Sequence, residues 1–389
     1  MREGSTDGAP NAAQGSFVTH VLGARPNLMK AVPVIDALRA LQVEQRLVHT
    51  GQHYDALLSD VFFNELSLPD PEVNLGVGSG THAEQTAAAM VGLEREFLEH
   101  RPALCVVYGD INSTVAAALA ASKLLLPVAH VEAGLRSFDD TMPEEVNRRI
   151  ADSLAELLFV TCPEGLENLG REGIDSRRTH FVGNPMIDTL YSVRERLDAG
   201  PVLRRFGIAS RFGLVTLHRP GNVDDPARAK RIVDALSTAA RHLELIVPLH
   251  PRGHDRLVDA GLERSADIHV TAPLGYLDFM ALMSAAAVVI TDSGGIQEET
   301  TALGVPCLTL RPNTERPITL SHGTNRLVEP EAIESCVEMI VTTSNRPTLE
   351  PLPLWDGRSG ERIAGIIDEW LRERGAGRRD TGRSATGAA

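Results

Sequence analysis

The chain has no cysteine spacing that could hold a metal. Cys105, Cys162, Cys307 and Cys336 are scattered, and none forms the short-spaced pairs of a ligand set. Cys105 and Cys307 sit in apolar, strand-like runs and read as small core residues, which suits a reducing cytoplasm. No apolar stretch approaches the ~20 residues of a membrane span. Residues 1–15 lack the apolar core of a signal peptide and read as a loose tail, as does the stretch 375–389. Basic residues are the minority, 38 against 52 acidic, and the net charge of −14 argues against nucleic-acid binding. It leaves an anionic small substrate open, because a few local cations can dominate one cleft. The GxGxxG fingerprint is missing after the first strand, and so is the Walker lysine pattern.

What is present fits an α/β enzyme. At 389 residues and 43% hydrophobic content, the chain is long enough for two α/β domains with separate cores. The most informative stretch is Val288–Glu299, VVITDSGGIQEE. An apolar run breaks at Gly294-Gly295 and restarts as a helix, leaving backbone N–H groups free at the positive end of a helix dipole. Such a turn seats a phosphate, while Glu298 and Glu299 can accept from a sugar diol. The plainer alternative makes Ser293 an N-cap and the two glutamates complements of the dipole.

Strands alternate with helices along the first half, implying a parallel, doubly wound sheet. Phe17–Gly23 is a strand whose end carries Arg25 and Lys30 at the start of a helix. Two cations there suit an anion, since the dipole already disfavours positive charge. Further strand-like runs are Arg46–Thr50 and Ala103–Tyr108, with helices from Tyr54 and over about His82–His100. Gln52 and His53 follow a strand in the same way. Asp110 follows a buried strand and reads either as a functional acid or as turn and capping chemistry. Glu132 ends the apolar run PVAHVE, where an acid is costly to bury without a partner or a function. Glu144 and Glu145 open a helix at Pro143 and could equally pair with Arg148 and Arg149 on its surface. Acids on neighbouring strand ends are how a proton-abstraction site is commonly built.

The second half opens at Phe212 with a strand ending in His218-Arg219, a histidine placed to protonate a leaving phosphate. His250 and Arg252 end another strand, and Arg311 and Arg316 follow a third. A boundary near 190–210 divides the chain into domains at 16–195 and 196–358, with a final amphipathic helix at 359–374. Cations and a phosphate seat thus face acids across a cleft, which suits a phosphorylated, nucleotide-linked sugar.

The motifs GARPNLMKAVP, TGQHYD, YGDINST, HVEAGLRSFD, MPEEVNRR, VGNPMID, TLHRPGNVDD, HPR, TDSGGIQEE and NTERP occur in this order. Together they resemble the non-hydrolysing UDP-N-acetylglucosamine 2-epimerases over residues 17–372. The resemblance implies a GT-B fold, two Rossmann-like domains with the site in the cleft between them. It implies that Arg25, Lys30, His218, Ser293, Gly294, Gly295 and Arg316 hold the uridine diphosphate part. Glu299 would bind the ribose and Phe279 would lie near the uracil, while Asp110, Glu132 and Glu144 match the acids assigned to catalysis. The implied reaction removes the C2 proton, expels UDP to give 2-acetamidoglucal, and re-adds it on inversion at C2, with no cofactor. Gln52, His53 and His250 match part of an activator site, and the working unit would be a cytoplasmic homodimer. Asn27 stands where many members carry Glu, and Leu274 where some carry Gln. The alternatives are a hydrolysing relative that releases N-acetylmannosamine, a GT-B glycosyltransferase, and a silent nucleotide-sugar-binding regulator.

Overall fold

Short apolar runs such as LCVVY, VAHVEA and LLFV are buried at every position rather than alternately. That is the signature of parallel strands covered on both faces. The computed structural model of the protein describes residues 16–52, 65, 66, 68–249, 251–343 and 352–384, without the side chains of 251, 252 and 375–384. The helix expected from Tyr54 lies outside these residues.

The first sheet comprises β1 (Val18–Leu22), β2 (Gln45–His49), β3 (Val73–Asn74), β4 (Leu104–Tyr108), β5 (Val128–Ala133), β6 (Leu157–Val160) and β7 (Thr179–Phe181). The second comprises β8 (Phe212–Thr216), β9 (Glu244–Pro248), β10 (Ile268–Thr271), β11 (Val288–Thr291), β12 (Cys307–Thr309) and β13 (Asn325–Leu327). Their orders are β3-β2-β1-β4-β5-β6-β7 and β10-β9-β8-β11-β12-β13. All described pairings are parallel, and both sheets reverse direction of growth between their first and fourth strands. At such a switch point the two flanking loops diverge, leaving a crevice beyond the carboxyl ends of the strands.

Separate apolar clusters cover one face of each sheet, around Phe97 and Leu158 in the first and Leu236 and Val247 in the second. A third cluster is shared, running from Leu28, Tyr108 and Phe159 through Ile363 and Ile367 to Leu214 and Val289. The helix Ser359–Ser384 contributes Ile363, Ala364 and Ile367 to that cluster, lying against the helix Arg25–Ala40 of the first sheet. Its start is tied down by Asp188, whose Oδ2 accepts from the Gly360 N–H at 2.7 Å. The tail expected from Gly375 is instead helical to Ser384. No proline interrupts it, and arginine, which recurs there, is a good helix former. Among the described residues, no helix is long and apolar enough to cross a membrane.

Two glycines of this last helix test the close approach. A Cβ at Gly360 would run into the backbone carbonyl of Pro33, whereas one at Gly365 meets nothing within 4 Å. Alanine gains helix propensity at both sites, by roughly 0.5–1 kcal/mol. At position 360 the backbone clash outweighs that gain, so Gly360→Ala should destabilise by about 1–3 kcal/mol in urea unfolding. Gly365→Ala should be neutral or slightly stabilising.

Candidate active site

The loops at the two switch points face each other. Arg25 follows β1 and Asp110 follows β4; opposite them, His218 follows β8 and Ser293 follows β11. Glu132, at the end of β5, lies at the centre of the contact between the sheets. It is 3% exposed, and its Oε2 is ion-paired with Lys30 of the helix Arg25–Ala40. Its Oε1 accepts from Arg316 Nη2, on the loop after β12, at 3.0 Å. The backbone here is unusual: the β5–β6 register slips between Val131 and Ala133, and Glu132 has a φ of +76°. A left-handed residue with a Cβ costs ~1–3 kcal/mol and persists only where its surroundings enforce it. The bulge turns the Glu132 side chain out of the sheet's alternation and towards the cleft.

The ion network extends in both directions from this acid. Asp110 Oδ2 accepts from Arg148 Nε at 3.0 Å. Burial alone would raise the Asp110 pKa, but Arg148, Lys30 and Arg316 outweigh it and hold the carboxyl below its ordinary value. Arg148 is itself 2% exposed and lies 3.9 Å from Glu315, whose other oxygen accepts from Arg311 Nη2 at 2.6 Å. Burial opposes ionisation of Glu315 too, yet Arg316, Arg311 and Arg148 keep it well below the carboxylate range. Arg316 contacts Glu315 and also approaches Glu298 Oε2 at 2.8 Å, an ion contact without hydrogen-bond geometry. The acids and guanidinium groups of both halves thus form one buried chain.

Around the glycine turn, Ser293 makes no capping bond with its side chain, against the plainer alternative for that residue. A Cβ at Gly294 would stand 2.5 Å from Arg316 Nη1, so the turn and the arginine can share this space only with glycine there. His218 is held by Asp292: its Nδ1 lies 2.9 Å from Oδ1, and its backbone N–H donates to the same carboxylate at 3.1 Å. Asp292 is fully buried; burial would raise its pKa, but the hydrogen bonds from His218, Arg219 and Asn222 keep it low. Glu298 and Glu299 behave oppositely. Burial, only partly countered by Arg316, pushes Glu298 up to about 7. Burial and the neighbouring Glu298 push Glu299 up to about 8, and its Oε1 has no hydrogen-bond partner among the described residues. Phe279 is half-buried on the helix Tyr276–Ala285, and Arg25 is half-buried at its helix start.

Not every expected residue joins this network. Glu144 is half-buried in the first turn of the helix Pro143–Leu154 and makes no hydrogen bond or ion pair among the described residues. Its neighbour Glu145 does pair with Arg148 and, at 3.5 Å, with Arg149, as sequence spacing allowed, though not as a surface group. It is fully buried, and its Oε2 accepts from the Ser137 N–H at 2.8 Å, pinning the loop between Glu132 and Glu144. Gln52 is buried, with Oε1 accepting from the Ser113 N–H at 3.0 Å and hydroxyl at 2.7 Å. His53 and His250 lie outside the described residues. Sequence reading missed the places of Arg148, Glu315 and Asp292 in this network, and the contact of Glu298 with Arg316. The repeated acid–base neighbours in PEEVNRR and TERP were the available hint.

Comparison with known proteins agrees over nearly the whole chain. The family description UDP-N-acetylglucosamine 2-epimerase matches residues 36–368. The UDP-N-acetylglucosamine 2-epimerase of Methanocaldococcus jannaschii is 40% identical, covering 89% of this chain and 97% of that protein. A Pseudomonas aeruginosa UDP-2,3-diacetamido-2,3-dideoxy-D-glucuronate 2-epimerase is 38% identical over 88% of this chain and 97% of its own length. The crystal structure of the Methanocaldococcus jannaschii enzyme in complex with UDP-GlcNAc and UDP superposes with a TM-score of 0.84. It is 39% identical and covers 91% of this chain and 99% of that one. The fold is therefore of the GT-B type.

The raised Glu298 and Glu299 have a consequence for stability. Unfolded glutamate ionises near 4.5, whereas Glu299 in the fold holds its proton to about 8. Between those values the native state carries the extra proton, so stability should fall as pH rises from about 5 to about 8. Glu299→Gln removes one such group, and its urea midpoint should fall less steeply over the same range.

Proposed function

This chain belongs to the UDP-N-acetylglucosamine 2-epimerase family, and from that premise we propose that it interconverts UDP-N-acetylglucosamine and UDP-N-acetylmannosamine without net hydrolysis. The observation that carries this reading is the Glu132 carboxylate, buried between Lys30 and Arg316 where the two sheets meet. A nucleotide sugar brings a diphosphate, which competes with acids for exactly such cations. In this reading the diphosphate takes over Lys30, Arg25, Arg316 and the N–H groups of Gly294 and Gly295, with the Ser293 hydroxyl beside them. Glu132 is then released from its cations beside the sugar.

The acids then act at C2. One carboxylate removes the C2 proton, the C–H electron pair becomes a C1=C2 double bond, and the C1–O bond breaks with its pair leaving on UDP. His218, fixed through Nδ1 by Asp292, assists the departing phosphate, and the fixed cations stabilise the developing charge. Re-addition of UDP to C1, with the proton delivered to the opposite face of C2, completes the inversion. Asp110, Glu132 and Glu144 share the base and acid roles. Glu299 binds the ribose hydroxyls, and Phe279 lies beside the uracil.

Proton NMR of the protein with UDP-N-acetylglucosamine in D₂O tests this directly. Formation of the manno epimer with deuterium at C2 is the expected outcome. Free N-acetylmannosamine with UDP would transfer the assignment to the hydrolysing reaction. Activity only on a diacetamido uronate analogue would move the substrate towards that of the Pseudomonas relative.

A substitution separates chemistry from binding. Glu132→Gln should lower kcat by at least ~10²-fold, because it removes a proton acceptor. Measured by calorimetry, it should bind UDP at least as tightly as the parent, since Lys30 and Arg316 lose a competing carboxylate. Weaker UDP binding would contradict the exchange of partners described above.

A further inference from the structure

His130 lies on β5 two residues before Glu132 and is wholly buried. Both of its ring nitrogens face oxygen atoms. Nδ1 is 2.7 Å from Asp152 Oδ1, and Nε2 is 2.8 Å from the carbonyl oxygen of Gly109. A carbonyl oxygen can only accept. Asp152 accepts as well: its other oxygen takes the Gly134 N–H and pairs with the Arg136 guanidinium, the surroundings of a carboxylate. A bare nitrogen on either side of the ring would set two lone pairs against each other in a dry interior, which is costly.

We infer that His130 is a buried imidazolium and a positioning residue, one that fixes the Asp110 loop against the strand end carrying Glu132. The rest of the arrangement supports a single rigid device. Gly109 stands at a φ of +61°, its N–H donating to the Val131 carbonyl at 3.0 Å while His130 takes its own carbonyl. The N–H and the carbonyl of Gly109 are therefore both bound to β5. On the other side, Asp152 Oδ2 accepts from the Gly134 N–H at 3.1 Å and pairs with Arg136 at 2.7 Å. Arg136 continues to Glu172 through two bonds of 2.7 Å. Histidine, aspartate, arginine and glutamate alternate in charge, so the imidazolium is neutralised within the core. One ring thereby sets the separation of Asp110 from Glu132 and holds the bulge on which Glu132 is displayed. The effect on turnover rests on the proposed function; the proton count does not.

Two measurements test the inference on the full-length protein. In protein labelled with [¹⁵N]histidine, with the His130 ring assigned through bonds from its own backbone, both nitrogens should carry hydrogen at neutral pH. A single N–H on that ring would overturn the proposal. In the NMR epimerisation assay, His130→Gln should lower kcat about 10²-fold with KM for the nucleotide sugar within about threefold, the pattern of misplaced acids rather than lost binding. His130→Asn serves if the glutamine variant does not fold, and if neither folds the wild-type proton count decides. Unchanged kcat in a folded variant would also overturn it. Absence of any activity in the parent protein would count against the proposed function alone, because the ring-proton measurement does not depend on turnover.

Discussion

The contact on which the rest of the cleft depends is the placing of one carboxylate, Glu132, between a lysine from the first half and an arginine from the second. Buried ion pairs rarely add stability. Removing both charges from water costs several kcal/mol each, and their mutual attraction does little more than offset it. Breaking one such pair, however, leaves an uncompensated charge and costs about 3–5 kcal/mol. The chain Asp110–Arg148–Glu315–Arg316–Glu132–Lys30 is therefore better understood as a means of keeping many charges at one place in low dielectric. The cations around Asp110 and Glu315 hold both acids in the charged form, and in the proposed function a diphosphate enters by exchanging partners.

That exchange needs two rigid rims, and the topology provides them. Both sheets have the same strand order, so each opens a crevice between its first and fourth strands. The shared apolar cluster joins the two halves, and the helix Ser359–Ser384 brings the end of the chain back onto the helix Arg25–Ala40 of the first half. On this frame two local departures from regular structure fall at the site. Glu132 and Gly109 both stand at positive φ, and the bulge in β5 separates them from the ordinary register. Strain of this size is maintained only by strong local bonds, and the His130–Asp152–Arg136 series supplies them.

Much of this was legible in the sequence because it is local. A strand ending in Gly-Gly before a helix, an acid closing an apolar run, and a histidine at a strand end each announce a position on the sheet edge. Glu132 stood out because burying an acid there without a partner would be costly, and its partners are indeed two cations. What was not legible was partnership over distance. Glu145 pairs with Arg148 and Arg149 along its helix as spacing allowed, yet Glu145 and Arg148 are buried, since the side of the helix they occupy faces the cleft. Glu298 looked like a complement to the helix dipole, but tertiary packing makes it a contact of Arg316. Ser293 had the right residue type for an N-cap and does not act as one.

The same contrast separates the acids into two kinds. Asp110, half-buried, and Glu315, fully buried, sit among arginines and stay ionised; Glu299 is buried beside another acid and keeps its proton to about 8. Glu299 lies in the second turn of its helix, past the reach of the N-terminal dipole, and desolvation dominates there. A neutral carboxyl both donates and accepts a hydrogen bond, where a carboxylate only accepts. In the proposed function Glu299 meets a ribose diol, whose hydroxyls also do both. A neutral acid there matches the sugar without adding a negative charge beside the diphosphate, while the ionised acids are reserved for the cations and for C2. Burial next to a like charge in one case, and next to guanidinium groups in the other, is enough to divide the glutamates of a single cleft between recognition and chemistry.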